Sequence, residues 1–246
     1  MKIKILILIY VFYSSIVFSQ KKGVVIYNVK IDTTGFDKKT KDQNKQAVKL
    51  IKSITNNSKN YKLKLSFKDD NSYYSLINKG LNTDSESNYK LNLSKIMFKI
   101  RSKFYYKIKD NYILEEKEFL GDIFLVKKNK KISDWKLLNV KKKIGKYICY
   151  KAERDYVYES RKGKVTQKQI VWYTTEIPLP FGPKEFVGFP GLVLKVQAGK
   201  IIYTAEKITL NPKGKITIKK PLKGKMITEK ELQNLGKKAM GEFTRN

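Results

Sequence analysis

The sequence predicts a mostly β chain of the α+β class. The expected fold is a strongly curved antiparallel sheet, or incomplete barrel, with two helices covering it. Three observations lead there. Short segments alternate apolar and polar residues, as in Tyr61-Lys62-Leu63-Lys64-Leu65-Ser66-Phe67. Turn residues such as Asp69-Asp70-Asn71 and Asp110-Asn111 separate successive segments. Only two stretches carry a helix start followed by a helical apolar stripe. Alternation with one polar face belongs to antiparallel sheets that are wet on one side.

In chain order, residues 1–19 read as a secretory signal peptide. Lys2 and Lys4 form a basic start, an apolar run follows from Ile5, and Val17-Phe18-Ser19 is a cleavage pattern that leaves Gln20 first. Residues 20–246 then form one mostly β domain. No membrane span is expected once the signal is removed, because no later segment is long and apolar enough. Strands are expected at Gly23–Ile31, Tyr61–Phe67, Ser72–Ile77, Ile96–Ile108, Tyr112–Phe119 and Ile123–Val126. The first helix starts at the capping box Thr40-Lys41-Asp42-Gln43 and carries Ala47, Val48, Ile51 and Ile54 on one stripe. The second starts at Thr228-Glu229-Lys230-Glu231 and carries Leu232, Leu235 and Ala239. Asn78–Asn92 is polar and reads as a surface loop.

Composition excludes whole classes of chemistry. Histidine is absent, which removes Ser-His-Asp, Cys-His and histidine-based zinc sites. The one cysteine, Cys149, cannot staple an exported fold. No cofactor and no metal site is expected. A formal net charge of +31 suggests nucleic acid, yet only four of the 53 basic residues are arginines. Base readers favour arginine's bidentate fork. The lysines are spread evenly beside Ile, Asn, Tyr and Phe, as A/T-rich codons would give. They are read as solvated surface, with an anionic envelope surface as the remaining contact and nucleic acid not expected.

The second half is more distinctive. Two strands flank the turn Ile144-Gly145-Lys146. In the second of them, Ile148, Tyr150, Ala152, Tyr156 and Tyr158 share one face, and Cys149, Lys151, Glu153 and Asp155 the other. Further strands are expected at Gln169–Thr174, Leu192–Val196 and Ile201–Leu210, with Gln197-Ala198-Gly199-Lys200 as a hairpin turn. Between the first two lies a loop, 177–191, that holds Pro178, Pro180, Pro183 and Pro190, four of the six prolines. Phe189-Pro190-Gly191-Leu192 fits a type II turn with Gly191 at positive φ, and Gly182-Pro183 and Gly188 add positions where glycine is expected.

"GPKEFVGFPGLVL" (Gly182 to Leu194), with "CYKA" (Cys149 to Ala152) and "WYTTEIPLPFGP" (Trp172 to Pro183) upstream, resembles the signature of the GLPGLI family. Phe189 and Val193 stand where that family usually has Leu and Ile. The resemblance covers about residues 130–215 and implies an exported protein of a Gram-negative phylum, of undetermined function. Some of its members are encoded near TonB-dependent outer-membrane receptors. It implies periplasmic or outer-membrane work, and no catalytic residues.

The loop admits two readings. Phe181, Phe186 and Phe189 either fold down to close one end of the sheet or form a preformed docking ridge, with Trp172 and Tyr173 as a stacking surface nearby. Cys149 is either a small buried hydrophobe or a thiol activated by Lys151. Glu153, Asp155, Glu159, Glu176 and Glu185 either neutralise lysines, or two of them pair for acid-base work or hold a hard cation. The favoured function is a non-enzymatic binding or accessory protein of the cell envelope for a polypeptide or apolar ligand. Its expected partner is a polypeptide or outer-membrane protein. The alternative is a histidine-free hydrolase or thiol-active enzyme built on Cys149 and the acidic residues.

Overall fold

In a computed structural model, the described residues are 22–32, 49, 51, 53–55, 61–77, 92–110, 112–130, 132–160 and 163–243. The signal peptide, the capping box at Thr40 and residues 78–91 of the expected polar loop lie outside them. One twelve-stranded sheet dominates. Its strands are β1 (Lys22–Ile31), β2 (Lys62–Lys68), β3 (Asn71–Ile77), β4 (Lys103–Lys107), β5 (Tyr112–Phe119) and β6 (Asp122–Asn129), followed by β7 (Lys136–Ile144), β8 (Tyr147–Ser160), β9 (Gly163–Thr174), β10 (Leu192–Ala198), β11 (Ile201–Leu210) and β12 (Lys225–Thr228).

The order across the sheet is β12-β6-β5-β4-β3-β2-β1-β11-β10-β9-β8-β7. β1 sits in the middle, paired antiparallel to both β2 and β11. One wing, β2 to β6, is a run of consecutive hairpins, and the other wing, β7 to β11, is a second. Only β12 breaks the antiparallel pattern, lying parallel to β6. β7 and β12 are the two edges, so the sheet is open rather than closed on itself. Yet Lys128 of β6 and Tyr156 of β8, from opposite wings, border the same cavity. The sheet therefore curls strongly, as an incomplete barrel does.

Pattern explains most of these strands. In β2, Leu63, Leu65 and Phe67 are wholly buried and the residues between them are not. β1 repeats the pattern with Val25, Tyr27 and Val29. The Gly145 turn joins β7 to β8 with φ +57, which suits glycine. β10 departs from strict alternation. Leu192, Val193, Leu194 and Val196 are all buried, and the pairing with β9 shifts between Val193 and Lys195. A bulge there turns both faces of the strand into the core.

The expected strand Ile96–Ile108 begins instead as a short helix, 92–97. The alternation of Ile96, Phe98 and Ile100 looks like a strand, but Leu93 with Met97 and Ser94 with Phe98 stand four apart, as on a helix. Ile96 points outward and is 54% exposed. The helix stops in a Schellman motif. The Lys99 N–H donates to the Ile96 carbonyl at 2.9 Å and the Ile100 N–H to the Lys95 carbonyl at 3.1 Å. Lys99 takes the left-handed position, φ +51, that glycine usually fills.

The C-terminal helix, Glu229–Phe243, forms behind its expected capping box. The Thr228 N–H donates to the Glu231 carboxylate at 2.7 Å, and the Glu231 N–H donates back to Thr228 Oγ1 at 3.2 Å. It packs on the β12 and β6 edge rather than over a sheet face, and Leu235 stays exposed. Of the first expected helix, residues 49, 51 and 53–55 are helical and Ile54 is buried.

Candidate functional site

The proline-rich loop between β9 and β10 is held by its own backbone. Three N–H groups that follow a proline each donate to the carbonyl two residues back: Leu179 to Ile177 at 2.7 Å, Phe181 to Leu179 at 2.8 Å and Gly191 to Phe189 at 2.7 Å. Each ring spans one proline, Pro178, Pro180 or Pro190, whose fixed φ lies close to that of an inverse γ-turn. The expected type II turn at Pro190 is therefore a γ-turn, and Gly191 is not among the glycines at positive φ. Glycine is needed at 191 for closeness instead. A Cβ there would overlap the Thr174 carbonyl oxygen and lie 2.7 Å from its carbon. A Cβ on Gly182 would be equally confined, 2.8 Å from the Val193 Cβ and overlapping the Phe186 carbonyl oxygen. Gly188, at φ +87, is the loop glycine with the expected conformational role.

Phe181, Phe186 and Phe189 are all buried, at 0%, 2% and 1% exposure. Phe181 stacks on Phe67 with centroids 5.3 Å apart, and Phe189 lies 5.1 Å edge-on to Trp135 and 5.7 Å from Tyr173. The docking-ridge reading is corrected by this packing: the three rings are core, because the γ-turns fold the loop back over the sheet. Tyr173 is also inside, while Trp172 faces outward beneath Lys142, whose Nζ is 5.7 Å from its ring. Leu192 starts β10 in the core, and Pro183 is buried beside Gly182.

Cys149 is wholly buried, and burial, reinforced by the Glu176 charge, pushes its thiol up to about 11. The activated-thiol reading is corrected on two counts. The thiol is held protonated, and Lys151 spends its charge on Glu153 at 2.7 Å. Cys149 and Ala152 are both buried although they stand on opposite faces, so both faces of β8 are covered at this end. The segment after β9 reaches over this region, where the Glu176 carboxylate accepts the Ile148 N–H at 2.7 Å. Glu153 also meets Lys168 at 3.5 Å. Among the described residues, no cluster of three acidic or cysteine side chains is placed to hold a metal ion.

The loop also carries a charged pair, Lys184-Glu185, amid apolar neighbours. Lys184 has φ +56 at the first corner of a turn closed by the Phe186 N–H donating to the Pro183 carbonyl at 3.1 Å. With only that corner at positive φ, it follows the type II′ pattern, which favours glycine. The Lys184 ammonium lies 5.6 Å from the ring centres of both Phe104 and Tyr203.

These residues floor a cavity of about 790 Å³ on the concave side of the sheet. That is a usual size for a small-molecule site, roughly 300–1,000 Å³. β4, β5 and β6 supply one wall, and β8, β9 and β11 the other. The segment 95–102 and the start of the C-terminal helix complete it. Seven cations, Lys95, Lys99, Arg101, Lys117, Lys128, Lys184 and Lys200, face four carboxylates, Glu115, Glu118, Glu185 and Glu229. Lys128 bridges Glu115 at 2.8 Å and Glu229 at 3.4 Å. Burial opposes its charge, but Glu185, Glu115 and Glu229 keep it protonated well above the usual lysine range.

Beside the cavity, Arg154 is clamped between Trp135 and Tyr156, its guanidinium 4.6 and 5.3 Å from their ring centres. Its Nε donates to Gln169 Oε1 at 2.8 Å. For Glu185, burial alone would raise the pKa, yet the charges of Lys184, Lys128 and Arg154 bring it down to about 2. Its Oε2 is buried with no hydrogen-bond partner from the protein. At the mouth, Lys99 is solvent-exposed as a residue, but protein packed around its ammonium, together with Lys184, Lys128 and Lys117, lowers its pKa.

The depressed Glu185 pKa has a thermodynamic consequence. Its carboxylate stabilises the fold above the ordinary value of about 4.5 and stops doing so as pH falls toward about 2. Acid unfolding of the protein should steepen across that window, and Glu185→Gln should remove this part of the slope. Urea midpoints measured from pH 5 to pH 2 check it.

Of the five residues singled out for binding, only Phe186 borders the cavity. Trp172, Tyr173, Phe181 and Phe189 do not line it. Lys99, Lys128, Arg154, Lys184 and Tyr203 escaped the sequence reading. One signal was present: "GPKEF" places a Lys-Glu pair in the most apolar loop of a lysine-rich chain.

Residues 135–195 match the family described as "Protein of unknown function (Porph_ging)". The match spans the Trp135 clamp, the cysteine strand and the proline-rich loop. It supports kinship with an uncharacterised family and does not carry the GLPGLI name. No curated protein matches significantly. Among solved structures, PNGF-II in two crystal forms matches at TM-score 0.49, with 14% and 13% identity. Each match covers 87% of this chain and 32% of PNGF-II, so the chain spans about a third of that protein's length. LprF from Mycobacterium bovis matches at TM-score 0.26 and 11% identity, over 82% of this chain and 91% of LprF.

Proposed function

We propose that the mature protein is an exported, non-enzymatic binding protein of the Gram-negative envelope that holds an anionic ligand in the concave cavity. One observation carries this reading. Seven cations against four carboxylates line the cavity, and two of those lysines, Lys99 and Lys184, sit on left-handed backbone that glycine would occupy at lower cost. Residues kept in such conformations cluster at ligand sites, where side-chain placement outweighs backbone strain. An apolar ligand, as the sequence suggested, would desolvate this charged lining and give nothing back for it, which is costly. The periplasm remains the proposed compartment. A polypeptide or outer-membrane protein remains the proposed partner, as the one that delivers or receives the ligand.

The test is a trade between stability and binding. Lys99→Gly should stabilise the protein by about 1 kcal/mol, because it relieves the left-handed strain. The same change should weaken binding of a simple polyanion, propane-1,2,3-tricarboxylate, at least tenfold in calorimetry. Wild-type binding should also weaken as salt rises. Lys99→Gly and Lys184→Met variants that bind the tricarboxylate as well as wild type would remove the cavity from consideration.

A further inference from the structure

Resting on the reading of the cavity as an anion site, we infer that its ligand is an acidic sugar: a short saccharide whose carboxylate or sulfate meets the lysines while a hydroxyl donates to Glu185. Three features of the cavity point to this chemistry rather than to a bare anion.

The first is the orphaned acceptor. Glu185 lines the cavity, and its Oε2 is buried without a protein hydrogen-bond donor. A buried carboxylate oxygen left unpaired is costly, so the ligand that fits best brings a donor to it. The second is the sign of the surroundings. The charges of Lys184, Lys128 and Arg154 already act on this carboxylate. A ligand ammonium would add one more cation to the group, which disfavours an amino acid or a peptide N-terminus. A hydroxyl donates without bringing charge. The third is the rest of the lining. Gln167, Ser102 and Tyr156 offer neutral donors and acceptors, suited to a polyol. Seven cations around the same space provide for the acidic group. The volume of about 790 Å³ accommodates a di- or trisaccharide.

The experiment is calorimetric titration of the mature protein with matched probes. The acidic set is trigalacturonate, an unsaturated chondroitin sulfate disaccharide and sialyllactose. Their neutral counterparts are galactotriose, unsulfated N-acetyllactosamine and lactose. Propane-1,2,3-tricarboxylate serves as an anion without hydroxyls. At least one acidic sugar should bind tenfold or more tighter than both its neutral counterpart and the tricarboxylate. Glu185→Gln should bring that sugar and the tricarboxylate to within about twofold of each other. If the tricarboxylate binds as tightly as every acidic sugar, the sugar inference falls and the anion site stands. Equal binding of neutral and acidic sugars, or no binding by any anion, overturns both. Should Glu185→Gln fold poorly, the wild-type ranking of the probes still decides.

Discussion

Gly191→Ala should destabilise the protein by about 3 kcal/mol or more. The loss comes from crowding rather than from backbone conformation. Gly191 is not at positive φ, and its N–H closes the γ-turn around Pro190. Its α-carbon is pressed against the end of β9, where an added Cβ would overlap the Thr174 carbonyl oxygen and approach Thr175 Cα to 3.1 Å. Both obstacles are backbone, and neither can rotate away. Thr174 pairs with Leu192 at the junction of β9 and β10, so relief would require the two strands to separate there. For a domain of this length the loss should appear as a melting point about 6–12 °C lower. Gly121→Ala is the control. Gly121 is at φ +82 but has nothing within 4 Å of an added Cβ, so only the conformational cost of about 1 kcal/mol applies. Equal losses at the two sites would show that strain, not contact, governs Gly191.

The same residue shows what could be read from sequence and what could not. Proline followed by glycine announced a tight turn, but which turn depends on the hydrogen bond that closes it, and that is not written in the dipeptide. The alternation of β2 and the capping box at Thr228 were legible because both are local: each needs only the chain's own period or a three-residue offset. The helix 92–97 was not legible. Ile96, Phe98 and Ile100 alternate like a strand, and the glycine that normally marks a helix end is replaced by Lys99. Alternation put Cys149 and Ala152 on opposite faces of β8, but it cannot say which face another segment will cover, and here both are covered. The cavity lay furthest from view. Glu115 and Lys128 come from one wing of the sheet and Gln169 and Tyr203 from the other. They meet only because the sheet curls around β1, and no local pattern encodes that curl.

Phe181→Ala should cost about 3–5 kcal/mol, the range for removing a buried phenylalanine ring. The ring is wholly buried, stacked on Phe67 and 6.3 Å edge-on from Tyr106, so it joins the loop to β2 and β4 at once. Its backbone is committed as well. The Phe181 N–H closes the γ-turn around Pro180, and its carbonyl accepts the Val193 N–H at 2.9 Å, tying the loop to the start of β10. The site has little freedom to collapse around the space left behind, which places the loss toward the upper end of the range. Phe181→Leu keeps most of the volume but gives up the ring pairs, together worth about 1–2 kcal/mol, and should fall well below the alanine loss. Urea unfolding of both variants, followed by circular dichroism, measures the two losses directly. The order of events matters more than the size. If the loop is core, polyanion binding by Phe181→Ala should fail only under conditions where the fold fails too. A variant that melts like wild type but no longer binds would instead make the phenylalanine a contact residue, and would move the binding surface from the lysine-lined cavity to the proline-rich loop.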